Sequence, residues 1–340
     1  MERAVVFAGA CFSSPSVGDP TMPTDTNFPL LEIGCLSQRF AALTEQCWGY
    51  GSPAVGCLLE SWFLMAPYLE TSMEIAREAG ALLANYFERR VGFELKGEFD
   101  LVTEADRASE RLVVERLQSR FPSHAIVAEE GGGHESPSEY RWYVDPLDGT
   151  TNFAHGFPFF NVTLALERAG ELIAGVIFDP LRQEMFCAER GSGAYLNNRR
   201  IRVSKVSRLE DSLVVTGFPS RKRHANVNVH FYYHLAMFSH GVRRSGSAAL
   251  DLACVACGRL EAFWEFGLSP WDQAAGMLLV SEAGGRVSDM QGAPASLRSP
   301  HLLTDNGLVH EEILRLFAGI FAGHYRLPLP ELDPIGQQSR

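Results

Sequence analysis

The residues best suited to chemistry lie in one short stretch, Arg141–Phe153, with the sequence RWYVDPLDGTTNF. Its aromatic and β-branched start, WYV, favours a strand. Asp145 and Asp148 follow three positions apart, and Pro146 fixes the backbone between them, so both carboxylates can point at one place. Carboxylate oxygens and a freed backbone carbonyl suit a hard cation such as Mg²⁺. The pair therefore predicts a magnesium site at the end of a buried strand.

The residues after the second aspartate could hold an anion. Gly149 allows the chain to approach a ligand closely, and the hydroxyls of Thr150 and Thr151 can donate and accept hydrogen bonds. A helix that started after Thr151 would add free N–H groups, which bind anions. Cation ligands beside an anion site predict metal-assisted phosphate chemistry. Taken alone, the D-x-x-D-G pattern would also fit an ordinary turn in which an aspartate caps a helix.

Three further segments place acids at the ends of elements. A helix is expected to start at Thr103, where T-E-A-D puts Asp106 at the third helical position. Glu129 follows a short apolar strand, Ala125–Ala128, and shares a glycine turn with a second glutamate, an arrangement that repels unless a cation is present. Asp272 stands at the third position of a helix that opens with Ser-Pro, so a capping role alone would explain it.

Two long motifs resemble those of a known family. The segment DPLDGTTNF is similar to the signature of the inositol monophosphatase family of Mg²⁺-dependent, Li⁺-sensitive sugar-phosphate phosphatases, and SPWDQAAGMLLVSEAGG, Ser269–Gly285, resembles its second signature. The resemblance covers about Ala66 to Ala322. It implies a mixed α/β fold, a layered α-β-α-β-α sandwich of the sugar-phosphatase type with two subdomains.

The resemblance also implies a set of metal ligands and catalytic residues. Two Mg²⁺ ions are expected, with a third, weaker ion on Glu129 and water. The ligands to these ions are expected to be Glu129, Asp145, the carbonyl of Leu147, Asp148, Thr150 and Asp272, with Asp145 bridging. Thr150 is expected to orient the attacking water and Asp106 to accept a hydrogen bond from Thr150, so Asp106, Thr150 and Glu129 form the catalytic set. Attack in line by a Mg²⁺-activated water needs no covalent intermediate.

The substrate implied by the resemblance is inositol 1-phosphate, a small phosphorylated polyol. Its contacts are expected from Lys96, Gly149, Thr150, Thr151, Gly246, Ser247, Ala248, Glu265 and Asp272. Histidinol phosphate and other sugar phosphates, such as fructose 1,6-bisphosphate, are alternatives within the same chemistry, and Lys96 could equally be an exposed loop lysine. An alternative of a different class is a regulatory or binding protein that retains the phosphatase fold.

Net charge, the length of apolar runs and the cysteine count limit the classes of partner that the sequence predicts. The net charge of −11 argues against a nucleic-acid surface, and no apolar run is as long as a membrane span. Seven cysteines, an odd number, fit a reducing cytoplasm, and Cys254 and Cys257 are interpreted as small core residues rather than metal ligands. The expectation of a homodimer and of inhibition by Li⁺ comes from the resemblance alone.

The domain boundaries follow the resemblance and the pattern of elements. Residues 1–65 are expected to be an atypical, poorly ordered extension, although a small accessory segment or a start codon assigned too early are also open. Residues 66–203 are expected to form an α+β subdomain that carries most metal ligands, 204–326 an α/β subdomain, and 327–340 a tail. The segment Ser220–His224, SRKRH, is interpreted as a basic surface loop.

Periodicity predicts the remaining elements. A helix is expected from Tyr68, with Thr71 and Glu74 as a capping box, and a final helix over Val309–Phe321. Strands are expected over 161–166, 172–178, 185–188, 194–196, 213–216, 260–266, 286–288 and 301–304.

Overall fold

The computed structural model describes residues 53–89, 92–95, 101–218 and 226–324, with side chains of the first helix described from Tyr68 onward. The chain divides into two units, Met1–Leu59 and Glu60–Arg340, and nearly all described residues belong to the second. Lys96, the basic segment Ser220–His224 and the tail lie outside the described residues, as does most of the N-terminal extension. None of the helices searched in the described residues has the length and apolar character to cross a bilayer.

Helices alternate with strands along most of the chain. The helices are α1 (Pro53–Arg89), α2 (Glu104–Arg120), α3 (Thr150–Ala154), α4 (Asn228–Phe238), α5 (Ala248–Ala256), α6 (Pro270–Glu282) and α7 (His310–Phe321). The first nine strands are β1 (Phe93–Leu95), β2 (Leu101–Thr103), β3 (Ala125–Ala128), β4 (Tyr140–Asp148), β5 (Asn161–Arg168), β6 (Glu171–Asp179), β7 (Glu184–Glu189), β8 (Gly193–Leu196) and β9 (Arg199–Arg200). The others are β10 (Leu213–Thr216), β11 (Gly241–Arg243), β12 (Ala262–Phe266), β13 (Arg286–Ser288) and β14 (His301–Asp305).

Two large sheets organise these elements. The first has seven strands in chain order, β3 to β9, with β3 parallel to β4 and all other neighbours antiparallel. The second has five strands in the order β11-β10-β12-β14-β13, and β10 runs parallel to both of its neighbours. The short strands β1 and β2 form a separate antiparallel pair.

The helices and sheets form five layers, and three hydrophobic cores fill the spaces between them. The first core joins α1 and α2 to one face of the seven-stranded sheet, and the second joins the other face to α5 and α6 and, beyond them, to the five-stranded sheet. The third core joins the outer face of the five-stranded sheet to α4 and α7. The expected α-β-α-β-α sandwich is therefore confirmed.

Strand alternation explains how one sheet serves two cores. In β5, Val162, Leu164 and Leu166 belong to the first core, whereas Ala165 between them belongs to the second. Successive side chains of a strand point to opposite faces, so a strand buried on both faces needs apolar residues at odd and even positions. The nearly continuous apolar sequence of β5 meets that need.

The central helix α6 lies unusually close to the seven-stranded sheet. A Cβ atom on Gly175 of β6 would lie only 3.0 Å from the Cα atom of Ala275 in α6. Glycine on the strand and alanine on the helix therefore let the two backbones approach. This contact fixes α6, and with it the side chains at its N-terminus.

Most predicted elements are confirmed, and two helix predictions are wrong. The first helix does not begin at Tyr68: α1 begins at Pro53, so Thr71 lies within the helix and forms no N-cap there. The anion-binding helix expected after Thr151 begins two residues earlier, at Thr150, and has only five residues. Helix α4, the β1–β2 pair, β9 and β11 were not predicted from the sequence.

Candidate active site

Acidic side chains converge where β3, β4 and α6 meet. Glu129 follows the last residue of β3, while Asp145 and Asp148 lie at the end of β4. The pairing of β4 with β5 shifts between the two aspartates, so an irregularity at Pro146 and Leu147 breaks the ladder. Asp272 enters from the first turn of α6. The parallel pairing of β3 with β4 brings the ends of both strands to the same edge of the sheet.

Asp145 is the most enclosed member of this acid cluster, which comprises Glu129, Asp145, Asp148 and Asp272. Its side chain is 2% exposed, and its Oδ1 accepts a hydrogen bond of 3.0 Å from the N–H of Leu147. Burial raises the pKa of Asp145 well above its usual value, and the charges of Glu129, Asp148 and Asp272 raise that pKa further. The cluster therefore stores electrostatic repulsion that a cation would relieve.

The N-terminus of α5 holds Asp148. Its Oδ2 accepts hydrogen bonds from the hydroxyl of Ser247 at 2.6 Å, the N–H of Ala249 at 2.9 Å and the amide of Asn161 at 2.9 Å. These donors lower the pKa of Asp148, yet burial outweighs them and the pKa lies above its usual value. The helix end that was expected to bind substrate thus already binds an anion of the protein itself.

Asp272 caps its helix and also faces the other acids of the cluster. Its Oδ2 accepts a hydrogen bond of 2.7 Å from the N–H of Ser269, as a capping acid does. Burial raises its pKa well above the usual value, and the charges of Asp148 and Glu129 raise the pKa further. Asp272 is therefore a helix cap and an electrostatic member of the acid cluster.

A chain of hydrogen bonds connects the start of α2 to Thr150. The hydroxyl of Thr150 lies 3.0 Å from Oδ1 of Asp106 and 3.0 Å from the carbonyl of Leu147. The other oxygen of Asp106, Oδ2, accepts from the N–H of Thr103 at 2.7 Å and from its hydroxyl at 2.5 Å. Asp106 is completely buried, so the predicted capping box also fixes an acceptor for Thr150.

A second group of charged residues lies beside the acid cluster. Glu265 is buried at the end of β12, and the absence of a Cβ on Gly217 leaves room for its carboxylate. Burial, together with the charge of Asp251 and against that of Arg244, raises the pKa of Glu265 to about 8. Asp251 is also buried and accepts a hydrogen bond from the hydroxyl of Ser245. This group forms a polar wall around the N-terminus of α5.

The chemistry of the donor set fits a hard divalent cation. All four acids offer oxygen, and the carbonyl of Leu147 lies beside Thr150. Within the described residues, no three acidic, histidine or cysteine side chains stand close enough to form a ready-made cage for an ion. Mg²⁺ usually keeps several waters and takes only one or two carboxylates, so it does not require such a cage. A cation would also offset the repulsion that raises the pKa of Asp145 and Asp272.

The remaining predicted substrate contacts line the two helix starts. Gly149 has φ of 95° and precedes α3, where Thr151 lies exposed on the first turn. Gly246 has φ of 91°, and a Cβ there would lie 2.8 Å from Nη1 of Arg244. Ala248 opens α5 directly after Ser247.

Several residues of the site escaped the sequence analysis. Asn161 is completely buried and its amide joins Asp148 to the hydroxyl of Ser247, at 2.9 Å in each case. Glu110 accepts hydrogen bonds from two backbone N–H groups of the loop after Glu129. A polar residue at the start of an otherwise apolar strand was the only available signal for Asn161, and Glu110 gave none beyond its place on a helix.

Comparison with known proteins agrees with this geometry. The family model described as "Inositol monophosphatase family" matches residues 64–321. The chain is 48% identical over 253 residues to "Nus factor SuhB" of Pseudomonas aeruginosa, covering 71% of this chain and 92% of the relative. It is 44% identical over 252 residues to "Inositol-1-monophosphatase" of Mesorhizobium japonicum, covering 73% of this chain and 94% of the relative.

Solved structures show the same relationship. The inositol monophosphatase from Anabaena (Nostoc) sp. PCC 7120 superposes with a TM-score of 0.67 at 43% identity, covering 73% of this chain and 94% of that one. The extragenic suppressor protein suhB from Bartonella henselae gives a TM-score of 0.71 at 40% identity, covering 74% and 98%. The chain belongs to the inositol monophosphatase family and is a phosphatase of that family.

Proposed function

We propose that the protein hydrolyses inositol 1-phosphate to inositol and phosphate with Mg²⁺ as its cofactor. Relatives that are 44% identical carry the name inositol-1-monophosphatase, which supports this substrate. The observation that carries the proposal is the hydrogen bond between Thr150 and the buried Asp106, which lies next to a cluster of acids with raised pKa values. Together they offer a way to orient water beside a cation site.

The acid cluster would hold the cation. Glu129, Asp145, Asp148 and Asp272, with the carbonyl of Leu147, are the proposed ligands. Bound Mg²⁺ would lower the pKa of a coordinated water and neutralise phosphoryl charge. The hydrogen bonds from Leu147 to Asp145 and from Ser269 to Asp272 fix the orientation of these carboxylates before any ligand arrives.

Thr150 and Asp106 would orient the attacking water. When the hydroxyl of Thr150 donates to Oδ1 of Asp106, its lone pairs can accept a proton of a water molecule. Asp106 is held by the N–H and hydroxyl of Thr103, so the direction of that hydroxyl is set by α2. The reaction then needs no nucleophilic side chain, and the water attacks phosphorus directly.

The polar wall near α5 would contact the polyol. Glu265, Asp251 and Arg244 provide donors and acceptors of both signs, as a ring of hydroxyl groups requires. The raised pKa of Glu265 lets its carboxyl group donate as well as accept near neutral pH. Histidinol phosphate remains the alternative substrate, since the two buried acids could also bind an amine.

Phosphate release at a fixed Mg²⁺ concentration tests the proposal. The panel is inositol 1-phosphate, fructose 1,6-bisphosphate, histidinol phosphate and 3′-phosphoadenosine 5′-phosphate, and we expect clear preference for the first. Glu265→Gln should reduce that preference more than it reduces hydrolysis of an unselective aryl phosphate. Millimolar Li⁺ should inhibit turnover. Preference for histidinol phosphate would reassign the polyol side and leave the cation site unchanged.

The names of several relatives favour a second candidate function, a binding role. These relatives, including one that is 48% identical, are named Nus factor SuhB. The protein could carry a binding function of the kind that this name denotes, in addition to its phosphatase activity. Replacing the chromosomal gene with an Asp145→Asn variant separates the two. If deletion of the gene impairs growth and the inactive Asp145→Asn variant restores it, the binding role is favoured. If the variant strain grows as poorly as the deletion strain, catalysis is favoured.

A homodimer in the cytoplasm completes the proposal. The exposed ring of Phe157, 55% accessible, offers apolar surface near the site for a second copy. Light scattering of the purified protein measures its mass directly, and a monomer at micromolar concentration would remove this part of the proposal.

A further inference from the structure

One face of α2 contacts Thr150, Pro146 and the loop after Glu129, three segments that adjoin the acid cluster. Asp106 contacts Thr150, and the hydroxyl of Ser109 donates to the carbonyl of Pro146 at 2.8 Å. Glu110, at the next position, accepts through Oε2 from the N–H of Glu130 and through Oε1 from the N–H of Gly132, each at 2.7 Å. Residues three and four positions apart share a helix face, so a single surface of α2 reaches all three segments.

Glu110 is an unusual residue to find in this place. Its side chain is only 4% exposed, and no lysine or arginine of the described residues forms an ion pair with it. Its carboxylate is instead satisfied by two backbone N–H groups that flank Gly131. A buried carboxylate is costly unless hydrogen bonds compensate it, so these two bonds are the reason that it can lie there.

The glycines of this loop fit the same arrangement. Gly131 has φ of 89°, in the left-handed region that favours glycine. A Cβ on Gly132 would lie 2.7 Å from Oε1 of Glu110, and one on Gly133 would lie 2.5 Å from the carbonyl of Ile126. The first glycine therefore makes the turn, the second admits the carboxylate of Glu110, and the third lets the loop return to β3.

We propose that Glu110 is a positioning residue that sets the Mg²⁺ affinity of the site by fixing the loop that starts at Glu129. Glu129 precedes the two amides that Glu110 binds, and its own N–H donates to the carbonyl of Val144 at 3.2 Å. The backbone of Glu129 is thus held from β4 on one side and from α2 on the other. The inference rests on the proposed cation site, although the hydrogen bonds themselves do not.

The first experiment compares Glu110→Gln with Glu115→Gln, an exposed control on the same helix. Glutamine has one acceptor oxygen, and its NH₂ group would face the second backbone donor, so one of the two bonds is lost. In protein freed of metal with EDTA, we expect faster hydrogen exchange at the amides of Glu130 and Gly132 in the Glu110 variant only. This measurement does not depend on activity.

The second measurement is a Mg²⁺ titration of thermal stability and of phosphate release. Loss of a partner bonded directly to a metal ligand commonly weakens metal binding roughly 10–100-fold. Glu110 acts on Glu129 through the adjoining backbone, so we expect the half-saturating Mg²⁺ concentration of Glu110→Gln to rise by about 10-fold, the lower end of that range. Turnover at saturating Mg²⁺ should return close to the wild-type value. A purely structural defect would lower turnover at every Mg²⁺ concentration.

A second variant approaches the contact from the loop. Gly132→Ala should weaken Mg²⁺ binding because its methyl group meets Oε1 of Glu110, and it should do so much less in a Glu110→Ala background.

The outcomes separate this proposal from the proposed function. Unchanged exchange at both amides overturns it, as does faster exchange with an unaltered Mg²⁺ requirement. Additive effects of the Gly132 and Glu110 substitutions also overturn it. A wild-type protein that binds no Mg²⁺ overturns the proposed function and this inference together, whereas normal binding in both wild type and variant overturns this inference alone.

Discussion

Two groups of enclosed carboxylates among the described residues treat their charge in opposite ways. Before α7, Oδ2 of Asp305 lies 2.6 Å from Nδ1 of His310, and its Oδ1 accepts from the N–H of Gly307 at 2.7 Å. Both side chains of this pair have no exposed surface. In the acid cluster, the nearest charged neighbours of Asp145 are other acids.

The two places differ in whether the fold itself supplies a partner for the buried carboxylate. The carboxylate of Asp305 has its hydrogen-bond partners, His310 and the N–H of Gly307, within the fold. The acid cluster is assembled from three elements and lacks a compensating cation among its own side chains. Buried like charges lower stability, and proteins retain such arrangements where a ligand or a reaction needs them. A substitution in the acid cluster should therefore reduce catalysis without lowering metal-free stability, whereas a substitution in the Asp305–His310 pair should lower stability without reducing catalysis.

The largest effect is expected for Asp145→Asn. Turnover should fall more than about 100-fold, because even an outer partner of a metal ligand commonly contributes roughly 10–100-fold. The metal-free variant should be no less stable than wild type, since one of the repelling charges has gone, and stabilisation by Mg²⁺ should disappear. Thermal unfolding with EDTA and with Mg²⁺ measures both. Asp211→Asn, at an exposed position, is the control. Retained Mg²⁺ stabilisation would contradict the assignment.

The opposite result is expected for His310→Ala. Removing the hydrogen-bond partner of a buried carboxylate commonly costs about 1–3 kcal/mol, because Asp305 would keep its desolvation cost without its neighbour. Urea unfolding should show this loss equally with and without Mg²⁺. Turnover per folded molecule should not change. A loss below about 1 kcal/mol, or one that Mg²⁺ reverses, would mean that the two places do not differ as described.

A smaller effect is expected at Thr150. Thr150→Ala removes the hydroxyl that lies 3.0 Å from Asp106, and kcat should fall about 100-fold, the lower range for a group that assists proton transfer. Thr150→Ser keeps the hydroxyl and should retain most of the activity. The Mg²⁺ concentration that stabilises the protein should change little in either variant. Equal kcat values for the two variants would exclude a role for the hydroxyl.

The smallest expected effect is a pH dependence of the stability of the metal-free protein. Burial raises the pKa of Asp145, Asp148, Asp272 and Glu265, the last to about 8, whereas unfolded carboxyl groups titrate near pH 4. Between these values the unfolded chain loses protons that the folded chain retains. The metal-free protein should therefore be most stable at acid pH and lose stability as the pH rises toward 8.

Urea unfolding at several pH values in EDTA measures that slope. Mg²⁺ favours the ionised carboxylates and should flatten it, and Glu265→Gln should remove part of it. A stability that rises over the same pH range in EDTA would contradict the raised pKa values.

Features that depend on neighbouring residues could be predicted from the sequence. The helix starts at Thr103 and Ser269 were found because their caps lie within four positions, and the strand before Asp145 followed from its residue types. Roles given to Glu129, Asp145, Asp148 and Asp272 stay predictions, although the structure brings these acids together as mutual electrostatic neighbours.

Features that depend on distant partners could not be predicted. Ser109 and Pro146 are 37 positions apart, and Asn161 and Ser247 are 86 apart, so no local pattern reports either contact. Helix α4 was missed because its sequence, NVHFYYHLAMF, shows no periodicity and leaves Met237 60% exposed. Such contacts are decided by the packing of layers rather than by the propensity of any one segment.

The close approach of α6 to the seven-stranded sheet has a consequence for both ends of that helix. Asp272 lies near one end of the helix, and at the other end Glu282 accepts hydrogen bonds from Gly191 and Gly193 at 2.8 Å each. A methyl group at Gly175 would lie 3.0 Å from the Cα atom of Ala275, so α6 would have to move by a few tenths of an ångström. Because Asp272 and Glu282 belong to this one helix, the missing side chain at Gly175 helps to set the position of a site residue and of a loop anchor at the same time.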